Sequence, residues 1–244
     1  MSRTLRAAAS HAWFLEDEVG GLAEFIGPGA VCVDVGAEYG LYTWTLAGLV
    51  GPAGQVHAVE PQPALAAFVG AARRVLRAGH VSVHRLALGA EAGGGVLSLP
   101  RRRRLPVHGR AFLTTGAVGL GSNAEFRRHD EVPVEVGTLD DLVAELELER
   151  LDLVKVDIEG AEASLLAGAH KTLESFRPVV MLELEDRHLG RFGATVAEVV
   201  DDLVARDYTP RTWEPGRGRW VPRRPDDPRR NVLFLPAERV LTIP

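Results

Sequence analysis

The stretch VCVDVGAEYG (Val31–Gly40) decides how the chain is read. Val31-Cys-Val-Asp-Val35 is a short strand rich in β-branched residues, and a glycine turn ends it. Gly36 and Gly40 bracket that turn, and Leu41, Trp44, Thr45 and Leu49 follow at helical spacing over 41–50. Strand, glycine turn and helix together bring backbone N–H groups and a helix N-terminus to one spot, which favours negative charge. The spacing is G-x-x-x-G and lacks the G-x-G-x-x-G fingerprint of nicotinamide dinucleotide enzymes.

Outward from this unit the same rhythm continues. Gln55–Glu60 reads as a second strand closed by Pro61 and Pro63, and 63–78 as an amphipathic helix with Leu65, Phe68, Val69, Ala72, Val75 and Leu76 on one face. A third strand covers 81–88. Residues 90–137 break the alternation with glycines, Arg101–Arg104 and short polar stretches. So long a structureless loop is out of place in a compact domain, so they read as an inserted hairpin-bearing segment. Thr138–Asp141 has the form of a helix start running to about 148. Leu151–Ile158 and Val179–Glu185 read as strands, with helices at 160–174 and 195–206. Tyr208–Trp213 and, after a turn-rich connector, Asn231–Leu235 read as a terminal hairpin. Alternating strands and helices predict an α/β, doubly wound parallel sheet, with ligands at the carboxyl ends of its strands. The whole of 1–244 is expected to be one domain, with a helical segment over 1–27 carrying Trp13 and Phe14.

Composition bounds the possibilities. The 244 residues are 46% hydrophobic and 25% charged, ordinary for a globular chain. No apolar run reaches the roughly 18 residues of a membrane span. A single cysteine, Cys32, excludes an intrachain disulfide framework. That and the missing secretory signal suggest a cytoplasmic setting. The net charge of −5 argues against a dedicated nucleic-acid binder. Lys155 and Lys171 are the only lysines among 28 basic residues, so arginine dominates, as in a chain from a GC-rich genome.

Two further patterns carry chemistry. Glu60 ends the second strand, where a carboxylate can accept both hydroxyls of a ribose; with the glycine turn it points to an adenosine-bearing ligand. Lys155, Asp157 and Glu159 share one strand parity, as do Glu183 and Glu185 on the next strand. Ionisable groups in central strands are costly unless paired or placed at a site. The expectation is a Lys155–Glu183 pair near mid-sheet, with Asp157 and Glu159 at the crevice. Glu162, Asp140 and Asp141 are expected as helix-start acids.

VCVDVGAEYGLYT (Val31–Thr43), VHAVEP (Val56–Pro61), TLDDL (Thr138–Leu142), LVKVDIEGAE (Leu153–Glu162) and NVLFLP (Asn231–Pro236) together resemble the FkbM family. These are class I S-adenosylmethionine-dependent methyltransferases that methylate oxygen atoms of small molecules, and the resemblance spans roughly residues 25–237. It implies a Rossmann-like, seven-stranded sheet with an antiparallel last strand, and S-adenosyl-L-methionine as cofactor. It places Asp34, Gly36, Ala37 and Gly40 around the methionine end of that cofactor, Glu60 on the ribose, and Ala87 and Leu88 near the adenine. Glu38 departs from the asparagine common in the family, which bears on cofactor affinity.

An alcohol acceptor needs its proton removed as the new bond forms. Asp157 is the first candidate base, Glu159 the second and His188 the third. Carboxylates 157, 159 and 185 could instead hold a magnesium ion, but no metal site is assigned. The expected partner is a small-molecule hydroxyl acceptor, a sugar or natural product, with no membrane and no nucleic acid. An RNA or DNA methyltransferase using Arg101–Arg104, Arg223, Arg224, Arg229 and Arg230 is the main alternative, and a cofactor-binding module without turnover the other.

Overall fold

In the computed structural model, which describes residues 17–103 and 105–240, the alternation read from the sequence becomes two sheets. A 3-10 segment, Asp17–Glu24, comes first; the rest of the expected N-terminal helical segment, with Trp13 and Phe14, lies outside the described residues. Then follow β1 (Val31–Val35), α1 (Leu41–Val50), β2 (Gln55–Val59), α2 (Pro63–Val75) and β3 (Val81–His84). The insertion supplies β4 (Ala87–Leu88), β5 (Gly93–Arg102), β6 (Leu105–Pro106), β7 (Phe112–Leu113) and β8 (Arg128–Gly137). The main fold resumes with α3 (Leu139–Glu145), β9 (Leu153–Val156), α4 (Glu162–Ala167), α5 (His170–Phe176), β10 (Val179–Glu183), α6 (Asp186–Leu189) and α7 (Val196–Ala205). It closes with β11 (Tyr208–Glu214), β12 (Arg219–Pro222) and β13 (Asn231–Pro236).

The main sheet has the order β12-β11-β13-β10-β9-β1-β2-β3. β13 runs antiparallel to both β10 and β11, which is the expected antiparallel last strand. The sheet has eight strands rather than seven, because residues read as a turn-rich connector form β12 on the outer edge of β11. The third strand also divides. Val81–His84 pairs with β2, whereas Ala87–Leu88 leaves the sheet to pair with β8. In the insertion β5 and β8 form a long antiparallel ribbon, Gly93 opposite Val136 through Arg101 opposite Arg128.

Helical boundaries differ from the sequence reading where local contacts override periodicity. The expected 160–174 helix is broken into α4 and α5 at Gly168, where a Cβ would meet the Gly89 carbonyl oxygen at 2.1 Å. Asp140 does not serve its own helix; it accepts from the Lys171 and Thr172 amides and caps α5. α1 buries Tyr42, Thr43, Leu46, Ala47 and Val50, so its inward face is one residue off the face read from Leu41, Trp44, Thr45 and Leu49. α2 buries Leu65 and Val69 but leaves Phe68, Val75 and Leu76 exposed.

The two faces of the main sheet have separate cores. Val33, Val35, Val154, Val156, Val180 and Leu182 pack against α3, α4, α5 and α7. Cys32, Leu153, Met181 and Leu233 pack against α1 and the 3-10 segment. Burying each such side chain contributes about 1.5–3 kcal/mol. Asp34 and Lys155 share the second face and lie in register on adjacent strands. Both are buried, and α1 supplies their partners: the Thr43 hydroxyl donates to Asp34 at 2.5 Å, and Lys155 Nζ lies 4.7 Å from the Tyr42 ring centre. No helix among the described residues is long and apolar enough to cross a membrane.

Candidate active site

Strand order reverses between β9 and β1, and a cleft of about 270 Å³ opens at their carboxyl ends. Its wall takes Gly36 and Glu38 from the turn after β1, Glu60 and Gln62 after β2, and Leu86–Leu88 after β3. Asp157 and Glu159 come from the β9 end, Glu183 and Glu185 from the β10 end, and His188 from α6. The insertion folds over the opening and contributes His108–Leu113. Of the residues expected around a ligand, Gly36, Glu60, Ala87, Leu88, Asp157, Glu159 and His188 therefore line one cleft. Asp34, Ala37 and Gly40 are not in its wall; all three are buried behind it.

Gly36 is required by a close approach. Its φ is +77°, and a Cβ there would sit 1.8 Å from the Asp157 carbonyl oxygen. The turn after β1 is thus pressed against the end of β9. Glu38 also has a positive φ of 47°, a conformation that asparagine tolerates better than glutamate. Its amide donates to Glu60 at 2.9 Å, and the Gln62 amide donates to the other Glu60 oxygen at 2.8 Å. Two backbone donors fix that carboxylate, and the Gln62 side chain adds a further hydrogen bond to it. Burial pushes Glu60 above the usual carboxylate range, offset in part by these two N–H groups. A carboxylate held rigidly in the cleft wall, with more acceptor capacity than its donors use, suits a vicinal diol, so the residues fit an adenosine ribose.

The charges differ from the expected arrangement. Lys155 Nζ meets Asp157 at 3.3 Å, on its own strand, and Glu183 instead meets Arg230 at 3.1 Å. Lys155 lies on β9, in register with Asp34 of β1 and two residues from Asp157. Burial alone would lower its pKa; Asp157, Asp34 and then Glu183 outweigh burial and hold it above the ordinary lysine value. Burial likewise pushes Asp34 up, against Lys155 and Thr43, which hold it down. Glu38 is pushed up to about 7 by burial, then by the charges of Asp157 and Glu60.

Glu159 and His188 form the second centre. Glu159 has φ 56° and Gly160 φ 109°, so the chain after β9 reverses sharply and turns Glu159 toward α6. His188 Nδ1 lies 2.8 Å from Glu159 Oε2, a close approach without the alignment of a hydrogen bond. His188 Nε2 lies 3.3 Å from Arg110 Nη1 of the insertion. Glu162 serves this turn and not merely its helix dipole: it accepts from the Ile158 and Gly160 amides at 3.3 and 3.2 Å. Burial pushes Glu162 up to about 7, with those amides opposing.

Glu185 is held by Arg230 at 2.6 Å and by Arg187 at 3.0 Å. The three carboxylates considered for a cation are each engaged with a different basic side chain. Among the described residues no group of three His, Cys, Asp or Glu side chains is arranged to hold a metal ion. Periodicity gave no sign of Arg110, Gln62 or His108. The Gln62 carboxamide contacts the His108 ring at 2.6 Å and fastens the insertion to the rim.

Comparison with known proteins adds an independent line. The family described as Methyltransferase FkbM domain matches residues 34–210. No curated protein matches the chain. Among solved structures, an FkbM methyltransferase from Methylobacillus flagellatus KT is similar with a TM-score of 0.55 and 18% identity, covering 93% of this chain and 47% of that one. The chain thus spans about half the length of that protein. An O-methyltransferase from Bacillus cereus in complex with SAH has a TM-score of 0.49 at 12% identity, covering 96% of this chain and 87% of that one. The O-methyltransferase TomG from Streptomyces achromogenes, in complex with SAM, has 0.47 at 16% identity, covering 90% and 78%. Identities this low speak to the fold alone. With the family match spanning well over half of the sequence, the chain belongs to the FkbM family of S-adenosylmethionine-dependent methyltransferases.

Proposed function

We propose that this protein is an O-methyltransferase that methylates a hydroxyl of a small molecule, a sugar or natural product, with His188 as proton acceptor. The observation that carries the reading is the Glu159–His188 contact in the wall of the cleft that also holds Gly36 and Glu60. S-adenosylmethionine, when bound, supplies a methyl group on a cationic sulfonium. Glu60 takes the ribose hydroxyls, Ala87 and Leu88 flank the adenine, and the turn of Gly36, Ala37 and Gly40, backed by Asp34, frames the methionine end. The carboxylates of Glu38 and Asp157 favour a positive charge at that end.

The base is better served by His188 than by Asp157. Arginine is a donor only, so Arg110 beside Nε2 implies a lone pair there and a proton on Nδ1, facing Glu159. The nearby Glu159 carboxylate stabilises the imidazolium that forms when Nε2 takes the acceptor's proton. Asp157, committed to Lys155, is an electrostatic residue of the site. The test is S-adenosylhomocysteine release across a panel of hydroxyl acceptors, with His188→Gln as control. Product formed equally by both proteins would remove His188 as base.

Nucleic acid is a poorer acceptor on this reading. Arg101 is paired with Asp130, Arg224 with Asp226, Arg229 with Asp227, and Arg230 with Glu183 and Glu185, while Arg104 lies outside the described residues. Steep salt dependence of RNA binding would argue the other way. A cytoplasmic setting suits the buried thiol of Cys32.

A further inference from the structure

We propose that Arg110 is an anion-binding residue of the acceptor site, so that the acceptor carries a carboxylate or phosphate close to the hydroxyl that is methylated. The proposal rests on the reading of this cleft as the acceptor site.

The cations of this part of the cleft are of two kinds. Arg187 and Arg230 meet Glu185 at 3.0 and 2.6 Å, and Arg230 also meets Glu183 at 3.1 Å. These pairs are closed. Among the described residues Arg110 pairs with one carboxylate, exposed Glu125 at 3.8 Å, and directs a donor at a ring nitrogen, His188 Nε2. A guanidinium carries five donors, so most of its capacity is left for an incoming group. Arg191 does not line the cleft: it is buried behind the Phe112 ring, 3.7 Å from its centre, and donates to the Glu159 carbonyl at 3.1 Å.

The placement is built rather than incidental. Asn123 is fully buried, and its amide donates to the Arg110 carbonyl at 2.7 Å. The Gln62–His108 contact anchors the other side of the same turn. Arg110 thus projects from a fixed backbone position onto the base. An anionic group on the acceptor is a stronger partner for Arg110 than an imidazole nitrogen. On binding it draws the guanidinium from Nε2, which frees the lone pair to receive the acceptor's hydroxyl proton. A neutral alcohol lacks this lever and leaves Arg110 on the base.

The test uses the full chain loaded with S-adenosylhomocysteine, and NMR of the histidine rings, with the His188 signal assigned from His188→Gln. Inorganic phosphate and acetate are titrated separately at constant ionic strength, which distinguishes the two anion classes. The expected result is a saturable shift of the His188 signal by at least one of them, absent in Arg110→Gln and retained in Arg110→Lys. No shift with either anion, or an equal shift in Arg110→Gln, overturns the proposal. Among acceptors that are turned over, Arg110→Gln should raise KM about tenfold or more for anionic ones. An Arg110-dependent shift without methyl transfer to any hydroxyl would sink the O-methyltransferase reading and leave the anion site standing.

Discussion

Gly160 and His188 are in backbone contact: a Cβ on the glycine would lie 2.3 Å from the histidine's carbonyl oxygen. The reversal after β9 and the first turn of α6 are therefore one packed unit, and the Glu159–His188 distance is set by main chain as much as by side chains. Gly160→Ala must adopt a φ of 109° or push α6 away. The substitution should cost about 2–4 kcal/mol in urea unfolding and lower kcat while leaving S-adenosylhomocysteine affinity within a few-fold. A variant as stable and active as the parent would show that this contact sets nothing.

Glu60 satisfies two backbone amides besides any ligand. Glu60→Ala removes both acceptors, and Glu60→Gln keeps one oxygen. Calorimetry with S-adenosylhomocysteine should show affinity reduced at least about tenfold for Glu60→Gln and further for Glu60→Ala. Equal affinity in all three proteins would withdraw Glu60 from the ribose.

His188, Glu159 and Asp157 should separate in kinetics. His188→Gln should lower kcat by about 10²–10⁴ with cofactor affinity preserved. Glu159→Gln should have a smaller effect on kcat, since its charge stabilises the imidazolium without taking the proton. Asp157→Asn should act mainly on cofactor affinity, through the lost charge beside Lys155. A kcat loss for Asp157→Asn matching that of His188→Gln would restore the aspartate as base.

Glu38 and Glu162 should make stability fall as pH rises from about 5 to 7, while His57 and His84, which burial lowers, work the other way below about 6.5. Glu38 and Glu162 titrate near 7 in the fold, against an ordinary value of 4.5. Between those values the unfolded chain releases a proton that the folded chain keeps, so rising pH favours unfolding until both states are ionised above about 7. For Glu162 the change across this window is roughly 3 kcal/mol at most. Melting temperatures of Glu162→Gln should lose much of the slope whatever their absolute level. Parallel pH profiles for the two proteins would contradict this account.

The β1 turn, the parallel strands and the antiparallel closing strand were legible because β-branched runs and glycine turns are local signals. Glu60, Asp157, Glu159 and His188 could be placed at one end of the sheet from strand polarity alone. The partner of Lys155 could not. Parity puts Glu183 on a suitable face, but which carboxylate is nearer depends on distances between strands. The break at Gly168 and the shifted inward face of α1 likewise arise from contacts distant in sequence. Within 90–137 the hairpin was readable in outline. That its tip would return across the cleft and set Arg110 on His188 was not, because no periodicity encodes where a ribbon docks.

The insertion leaves and rejoins the main fold at neighbouring points, Ala87–Leu88 lying beside Val136–Gly137 with the Gly89 amide bonded to the Gly137 carbonyl. Whatever lies between these anchors can change in length or sequence without altering the register of β3 or the start of α3. On the proposed reading, acceptor preference is thereby separable from the methyl-donor half of the site. Exchanging residues 90–136 for the corresponding ribbon of another enzyme becomes a practical route to new specificity.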